Sequence, residues 1–246
     1  MTLEENRGSV AQPRNVVISG ASKGLGKAMA EIFAAEGSNL FMCARHQEPL
    51  EETRSEIKSS FPNSNPFLHV GDISSRQGAA DFAGNILKQF LTIDVLINNA
   101  GHFIPGKIYD EGEGVLEQML RINLYSAYHL TRALLPQMMA KKQGHIFNIC
   151  SVASLKAYDN GGSYSISKFA LKGFSQNLRE ELKQYNIKVT SVYPGAVFTS
   201  SWEGTGVDRS RIMESKDIAE IVYTSSKLSP QACVEDIVIR PQLGDL

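Results

Sequence analysis

The stretch SGASKGLGKAMAEIFAAEG, residues 19–37, contains three glycines in the spacing GxxxGxG and overlaps the end of the apolar run NVVIS. Glycines at this spacing let the chain turn tightly, let backbone N–H groups approach a pyrophosphate, and let a helix pack closely against a strand. The pattern occurs by chance in many loops, but its place between a predicted strand and an amphipathic helix is typical of a dinucleotide-binding loop. The predicted cofactor contacts in this loop are Gly20, Ser22, Lys23, Gly24, Leu25 and Gly26.

Seven short apolar or β-branched runs follow one another along the chain, and each is a candidate for a buried strand. They are NVVIS at 15, NLFMCA at 39, PFLHVG at 66, IDVLIN at 93, GHIFNIC at 144, IKVTSVY at 187 and EDIVIR at 235. Segments with helical spacing of apolar residues lie between them, for example Phe82, Ile86 and Phe90. This alternation predicts an α/β fold, in which helices cover both faces of one mainly parallel seven-stranded sheet in a three-layer α/β/α arrangement.

The length and composition of the chain favour a single domain with a small, roughly neutral partner. The chain has 246 residues, of which 42% are hydrophobic, and 26 acidic residues nearly balance 25 Lys and Arg. We expect residues 1–13 to form a loose tail, residues 14–246 to form one domain, and residues 196–214 to form a substrate lid within it. The near-zero charge gives no indication of nucleic acid or of a membrane as a partner.

The sequence predicts neither a membrane segment nor a metal site. No apolar run approaches the roughly 18 residues that a membrane span needs, and the first residues, MTLEENRGSVAQPR, lack the pattern of a secretory signal. We therefore expect a cytoplasmic protein. The five histidines show no HxxxH spacing and have no CxxC motif beside them. Cys43, Cys150 and Cys233 lie far apart in apolar runs, which predicts three buried, reduced thiols.

The end of the second predicted strand indicates which dinucleotide is bound. An NAD-binding fold would carry an acidic residue there to accept a hydrogen bond from the ribose 2′-hydroxyl, whereas this chain has Ala44 and Arg45. Arg45, together with Lys23 in the glycine-rich loop, would supply two cations suited to the 2′-phosphate of NADP. We predict NADP(H) as the cofactor, and a second interpretation, in which both cations are solvated surface charges, stays open.

The motif YSISK, residues 164–168, places Tyr164 and Lys168 one helical turn apart on the same face of a predicted helix. A carbonyl group that receives a hydride gains negative charge on its oxygen, so the site must supply a proton donor and a hydrogen bond. Tyr164 would donate the proton, and the Lys168 ammonium with the positive nicotinamide ring would lower its pKa from the ordinary value of about 10. Ser151 ends the fifth predicted strand, where its hydroxyl would also bond the substrate oxygen. Taken alone, the pair would equally fit an ordinary exposed couple.

Several motifs occur in one order and at consistent intervals along the chain. They are SGASKGLG, GDIS at 71–74, NNAG at 98–101, Asn123, Ser151, YSISK, and YPGAV at 193–197. Together these motifs closely resemble the short-chain dehydrogenase/reductase family over about residues 14–200. The resemblance implies a Rossmann-type sheet and a catalytic tetrad of Asn123, Ser151, Tyr164 and Lys168. By its type and helical setting alone, Asn123 is more typical of a satisfied buried polar group or a helix kink, and only the resemblance implies that it helps to hold a water near Lys168.

Further cofactor contacts are predicted after the third, fourth and sixth strands. Asp72 would accept a hydrogen bond from the adenine amino group, or it would equally cap a helix. After the fourth strand, small residues and backbone would line the ribose side, or NAG would be only a tight turn. After the sixth strand, the resemblance implies contacts to the nicotinamide carboxamide. The predicted contacts are Asp72, Ile73, Asn99, Ala100, Gly101, Tyr164, Lys168, Pro194, Gly195, Val197 and Thr199.

These motifs do not identify the substrate, because the chain partly resembles two branches of the family. The final residues VEDIVIRPQLGDL differ from the VDGG-type segment of 3-oxoacyl-acyl carrier protein reductases. The RPxxGD pattern and the loop containing Trp202 resemble instead the bacterial sepiapterin-reductase-like branch, whose substrates are planar pterins. A regulatory protein that senses NADP without turnover is a third alternative. The predicted helix 164–184 carries apolar residues on more than one face, which, with the resemblance, predicts a homodimer or homotetramer.

Overall fold

The structure, a computed structural model, describes residues 13–64, 66–199 and 206–245. Its described residues form one seven-stranded sheet with the strand order β3-β2-β1-β4-β5-β6-β7, and every neighbouring pair is parallel. The strands are β1 Asn15–Ser19, β2 Asn39–Ala44, β3 Pro66–Val70, β4 Val95–Asn98, β5 His145–Ile149, β6 Lys188–Pro194 and β7 Asp236–Ile239. All seven predicted strands are therefore confirmed.

Helices follow the strands and cover both faces of the sheet. They are α1 Gly24–Ala35, α2 Gln47–Ser60, α3 Arg76–Gln89, α4 Val115–Leu120, α5 Ser126–Lys141, α6 Gly162–Leu182 and α7 Ser215–Ser226. A π-helical turn, Arg121–Tyr125, joins α4 to α5. The predicted helix 164–184 corresponds to α6, which begins and ends two residues earlier.

Residues of each strand alternate between two separate cores. In β1, Val16 and Ile18 pack with α1, α2 and α7 on one face, while Val17 packs with α3, α5 and α6 on the other. All three side chains are completely buried. Because both faces are covered, the strands need apolar residues at successive positions, and this explains the continuous apolar runs in the sequence. The three-layer α/β/α prediction is confirmed.

The direction of the strand connections reverses at β1, which lies between β2 and β4. In open parallel sheets, a ligand crevice forms outside the carboxyl ends of the strands at such a reversal. The glycine-rich loop follows β1, the NNAG motif ends and follows β4, and Ser151 lies just after β5. The fold thus brings the predicted binding and catalytic motifs to one edge of the sheet.

The three cysteines differ in their exposure. All three are free, and Cys43 and Cys150 are buried as predicted, but Cys233 is exposed. The prediction for Cys233 was wrong because this residue lies in the irregular segment that precedes β7, outside the strand itself.

None of the described helices is both long and apolar enough to span a bilayer. Residues 13–64, 66–199 and 206–245 also contain no group of three or more His, Cys, Asp or Glu positioned to hold a metal ion. The cytoplasmic location and the lack of a metal stay predictions.

Part of the predicted tail and part of the predicted lid lie outside the described residues, namely residues 1–12 and 200–205, which include Trp202. The described flanks of the lid are held together, because Val197 and Met213 form a parallel β-bridge. The Phe198 N–H donates to the Met213 carbonyl at 2.8 Å, and Ile212 is buried. The domain division and the lid stay predictions.

Candidate active site

The glycine-rich loop after β1 is folded so tightly that its glycines have no room for side chains. Gly20 and Gly24 have φ angles of +67° and +55°, which other residues rarely adopt. A Cβ on Gly26 would overlap the Gly20 carbonyl oxygen, and one on Gly20 would lie 2.9 Å from the Ala100 Cα. The loop therefore approaches the segment after β4 backbone to backbone, and α1 begins at Gly24 with its free N–H groups facing the crevice.

Asn99 fixes the glycine-rich loop to the end of β4. Its Nδ2 donates to the carbonyls of Ser19 at 3.1 Å and Gly20 at 2.9 Å. The Ser19 hydroxyl in turn accepts from the backbone N–H groups of Asn99 at 3.0 Å and Ala100 at 3.1 Å. The NNAG segment therefore holds the loop in place, in addition to ending the strand. The remaining predicted loop residues, Ser22 and Leu25, are partly buried, and Leu25 packs against the core on the α1 side.

Two cations stand at the rim of the crevice where the sequence predicts a 2′-phosphate. Lys23 and Arg45 are both exposed. Burial and the positive charges of Arg45 and Lys23 lower the pKa of His102, so both cations lie near the segment after β4. Since no carboxylate occupies position 45 at the end of β2, this rim presents positive charge.

Asp72, after β3, forms a local turn. Its Oδ1 accepts from the Ser74 N–H at 3.0 Å. Burial raises the pKa of Asp72, but the hydrogen bonds from Ser74 and the charges of Arg121 and Arg45 outweigh it and hold this pKa below the ordinary value. The alternative that Asp72 caps a helix is wrong, because Ser75 is the N-cap of α3. The Ile73 side chain is buried in the core and leaves only its backbone for a ligand contact.

Tyr164 and Lys168 project from the first two turns of α6 toward the end of β5. The Ser151 hydroxyl hydrogen-bonds with Tyr164 and also accepts from the Ala153 N–H at 3.1 Å. The Lys168 Nζ donates to the Ile149 carbonyl at 2.8 Å and lies 5.9 Å from the centroid of the Tyr164 ring. The structure thus brings together three of the four predicted catalytic residues.

Burial moves the pKa values of Tyr164 and Lys168 in opposite directions. Burial raises the pKa of Tyr164 to about 12, although the hydrogen bond with Ser151 opposes this shift. Burial also lowers the pKa of Lys168 to about 8. The prediction that Lys168 and the positive nicotinamide ring together lower the pKa of Tyr164 concerns the site with its coenzyme bound, and it stays a prediction.

Asn123 lies in the π-helical turn between α4 and α5, with only 1% of its surface exposed. Its Oδ1 accepts from the His102 N–H at 2.7 Å, and its Nδ2 donates to the His102 carbonyl at 2.9 Å and to the Ser167 hydroxyl at 2.9 Å. A Cβ on Gly101 would lie 3.3 Å from the Asn123 Oδ1 and 3.5 Å from the Lys168 Nζ. Asn123 is therefore a satisfied buried polar group at a helix irregularity, and it also lies beside the predicted catalytic lysine.

The segment after β6 contacts both the end of β7 and the glycine-rich loop. Pro194 ends β6, and the Gly195 N–H donates to the Ile239 carbonyl at 2.8 Å. The Val197 side chain is buried in the core. A Cβ on Gly24 would lie 3.1 Å from the Thr199 Cγ2, so Thr199 faces the glycine-rich loop.

A sequence model described as short chain dehydrogenase matches residues 14–210 of this chain. The chain belongs to the short-chain dehydrogenase family. It is 38% identical over 187 residues to the Dehydrogenase/reductase SDR family member 7B of Mus musculus, across 75% of this chain and 58% of the mouse protein. It is 30% identical over 239 residues to a sepiapterin reductase of Chlorobaculum tepidum, across 94% of this chain and 97% of that protein. The chain thus matches less than two thirds of the length of the mouse relative.

Solved structures of other short-chain dehydrogenases share this fold. A metagenomic short-chain oxidoreductase in complex with NADP has a TM-score of 0.81 and 30% identity, across 93% of this chain and 97% of that one. An alcohol dehydrogenase from the archaeon Thermococcus sibiricus, complexed with 5-hydroxy-NADP, has a TM-score of 0.87 and 25% identity, across 96% of this chain and 99% of that one. The predicted family and Rossmann-type sheet are confirmed.

Two residues of this short-chain dehydrogenase that the sequence did not indicate stand next to the predicted catalytic groups. Phe103 packs against Tyr164 and is 44% exposed, and the Glu111 carboxylate accepts from the Ser163 N–H at 2.8 Å. Phe103 follows the NNAG motif at the carboxyl end of β4, and this position is the signal that would have found it. For Glu111 the sequence carries no such signal, since its partner lies 52 residues away.

Proposed function

We propose that this short-chain dehydrogenase is an NADP(H)-dependent oxidoreductase that interconverts a carbonyl compound and a secondary alcohol. The observation that carries the proposal is the grouping of the Tyr164 and Ser151 hydroxyls, with Lys168 one turn further along α6. Two neutral hydroxyls that lie close together can both donate hydrogen bonds to a substrate oxygen on which negative charge develops. NADP or an NADP analogue in two related structures supports the choice of cofactor.

The chain's own residues fit a dinucleotide phosphate. Gly20 and Gly26, which have no room for a Cβ, let the glycine-rich loop pack against the end of β4, and the N–H groups at the start of α1 would bind a pyrophosphate. Lys23 and Arg45 would hold the 2′-phosphate, because both are exposed cations at the rim. The other proposed contacts are Asp72, Asn99 to Gly101, Pro194, Gly195 and Thr199. When bound, NADP(H) would supply the hydride and, in its oxidised form, a positive ring that favours the Tyr164 phenolate.

Tyr164 would act as the proton donor in the direction of reduction. Its pKa of about 12 keeps the phenol protonated at neutral pH, so the proton is present when the substrate oxygen becomes basic. Ser151 would donate a second hydrogen bond to that oxygen. Lys168, with a pKa of about 8, exchanges protons readily near neutral pH and is suited to returning one to Tyr164. Asn123 would support this group by holding the backbone of His102 next to Lys168.

The substrate side of the site carries an apolar surface. The exposed part of the Phe103 ring lies beside Tyr164, so a substrate carbonyl at the Tyr164 hydroxyl would direct a substituent toward this ring. An apolar or aromatic substituent would bury this surface favourably. Pterins and 3-oxoacyl thioesters stay as narrower alternatives, and the sepiapterin reductase relative is the reason to include a pterin in any assay.

NADPH oxidation, followed by absorbance, tests the proposed function. Wild-type protein is mixed with NADPH and a panel of aryl ketones, aliphatic ketones, diketones, an acetoacetyl thioester and a sepiapterin-type pterin. We expect at least one carbonyl compound to be reduced, with NADPH preferred over NADH. Tight NADPH binding without reduction of any compound would instead support a regulatory protein that senses NADP.

We also propose that the protein is a homo-oligomer, because α6 has apolar residues on a second, uncovered face. Ile166 and Phe169 are each more than 40% exposed, whereas Leu178 on the other side is buried. Tyr125 and Leu116, on elements that contact α6, are exposed as well. Sedimentation at micromolar concentration should give a dimer or tetramer that Phe169→Glu dissociates and that the control Leu91→Glu leaves intact. A monomeric wild-type mass would contradict this proposal.

A further inference from the structure

The segment from His102 to Glu111, which follows the NNAG motif, is joined to the start of α6 at several points. The Gly106 N–H donates to the Asn160 carbonyl at 3.1 Å, and the Lys107 Nζ lies 3.5 Å from the Asp159 Oδ1. Glu111 makes the third connection. Its Oε1 accepts from the Ser163 N–H at 2.8 Å, and its Oε2 accepts from the Ser163 hydroxyl.

Glu111 satisfies a need that α6 does not meet by itself. The first N–H groups of a helix have no partner within the helix, and the N-cap residue here, Gly161, has no side chain to supply one. A carboxylate at this end is also favoured by the helix dipole. Glu111 thus takes the role of a capping residue, although it comes from another part of the chain.

The contact is shaped for a carboxylate at this position. Gly162 has a φ of +32°, and a Cβ on Gly162 would overlap the Glu111 Oε1. A Cβ on Gly106 would lie 2.7 Å from the Glu111 Cγ. Two glycines therefore leave just the space that the Glu111 side chain occupies between the segment and the helix.

We propose that Glu111 is a positioning residue that fixes the first turn of α6 and thereby the place of Tyr164 relative to Ser151. Tyr164 follows Ser163 directly, and one turn later Lys168 anchors the helix to the Ile149 carbonyl. Tyr164 lies between these two anchor points. This inference rests on the proposed function, in which Tyr164 donates the proton.

The test compares Glu111→Ala and Glu111→Gln with the wild-type protein. A misplacement of about 1 Å in a reacting group is enough for a loss of about 100-fold in rate, so we expect kcat of Glu111→Ala to fall by about 10-fold to 100-fold. Glu111→Gln keeps one acceptor for the Ser163 N–H and should lose less. The KM for NADPH should change by less than about twofold, because Glu111 has no contact with the glycine-rich loop.

A second measurement, hydrogen exchange at residues 162–166, does not depend on activity. We expect exchange in this turn to become at least about tenfold faster in Glu111→Ala and to stay unchanged in the control Lys107→Met, which removes an exposed ion pair from the same segment. Both variants are measured well below their unfolding temperatures. Unchanged exchange in Glu111→Ala, or faster exchange with unchanged kcat, overturns the inference.

Failure of the proposed function gives a different pattern. If wild-type protein reduces no carbonyl compound, the proposed function is wrong, and the exchange measurement still decides whether Glu111 fixes the turn that carries Tyr164. If wild-type protein is active and Tyr164→Phe is not, but Glu111→Ala keeps full kcat, only the inference about Glu111 fails.

Discussion

The ring of Phe103 stands edge-on to the ring of Tyr164, with their centroids 4.8 Å apart and their planes inclined by 75°. This edge-to-face geometry is a favourable arrangement for two aromatic rings. It connects the segment after β4 to the proposed proton donor, and it leaves 44% of Phe103 exposed beside it. The substrate side of the site is therefore defined in part by a residue outside the motifs YSISK and NNAG.

Phe103→Ala should change substrate preference more than it changes cofactor binding. Removing the ring takes away apolar surface worth about 1–3 kcal/mol to a substrate that covers it, which corresponds to about 5-fold to 150-fold in kcat/KM. We expect that loss for an aryl ketone and a much smaller one for acetone. The measurement is the ratio of kcat/KM for the two ketones in wild-type and variant protein. An equal loss for both would mean that Phe103 acts on Tyr164 and not on the substrate.

Tyr164→Phe should lower kcat by about 100-fold to 10,000-fold, because the variant keeps the ring and loses the proton donor. NADPH binding, measured by fluorescence titration, should stay within about threefold of wild type. Tyr223→Phe is a matched control, since it also removes a tyrosine hydroxyl. This hydroxyl donates to Glu36 at the C-terminal end of α1. Turnover of Tyr164→Phe near the wild-type rate would refute the proposed role of the phenol.

Arg45→Asp should shift the preference from NADPH toward NADH. The substitution removes a cation proposed to pair with the 2′-phosphate and supplies the acid that would accept from a ribose 2′-hydroxyl. We expect the ratio of kcat/KM for NADPH over NADH to fall by at least about 100-fold. Lys58→Asp makes the same charge change at an exposed position on α2 and should leave the ratio unchanged. If the ratio in Arg45→Asp also stayed the same, Arg45 would be only a surface charge.

The fold was predictable from the sequence because its main cause is local. Each strand is buried on both faces, so a run such as NVVIS is apolar at consecutive positions wherever it lies in the chain. The same holds for Gly20 and Gly26, because the turn itself and the end of neighbouring β4 leave no room for a Cβ at these positions. The prediction for Cys233 was wrong because β7 begins only at Asp236, so the apolar residues before it lie outside the strand.

The features of the site that the sequence did not predict depend on contacts between segments that are far apart in the chain. Glu111 and Ser163 are 52 residues apart, and neither residue type indicates the other. The rise in the pKa of Tyr164 comes from burial, which depends on how the loops after β4 and β5 close over α6. A sequence motif identifies the phenol and the ammonium, but the packing around them determines which way their pKa values move.

His145, at the start of β5, should make the protein less stable as the pH falls below about 6.5. Its Nε2 hydrogen-bonds the Thr190 hydroxyl at 2.7 Å, and its ring stacks on Phe147 with centroids 3.9 Å apart. Burial, with smaller contributions from the charges of Lys188 and Arg14, lowers the pKa of His145 from 6.5 to about 3. Below pH 6.5 the unfolded chain therefore binds a proton at His145, whereas the folded protein binds this proton only near pH 3.

This difference gives the sign and the size of the effect. Stability from neutral His145 is fully present above pH 6.5 and is lost as the pH falls toward 3, by up to about 1.4 kcal/mol per pH unit. His145→Gln, which does not titrate, should show a shallower fall in the free energy of unfolding between pH 7 and pH 5 in urea titrations. Parallel slopes for wild type and His145→Gln would mean that His145 binds its proton over the same pH range in the folded and unfolded chain, which would contradict its lowered pKa.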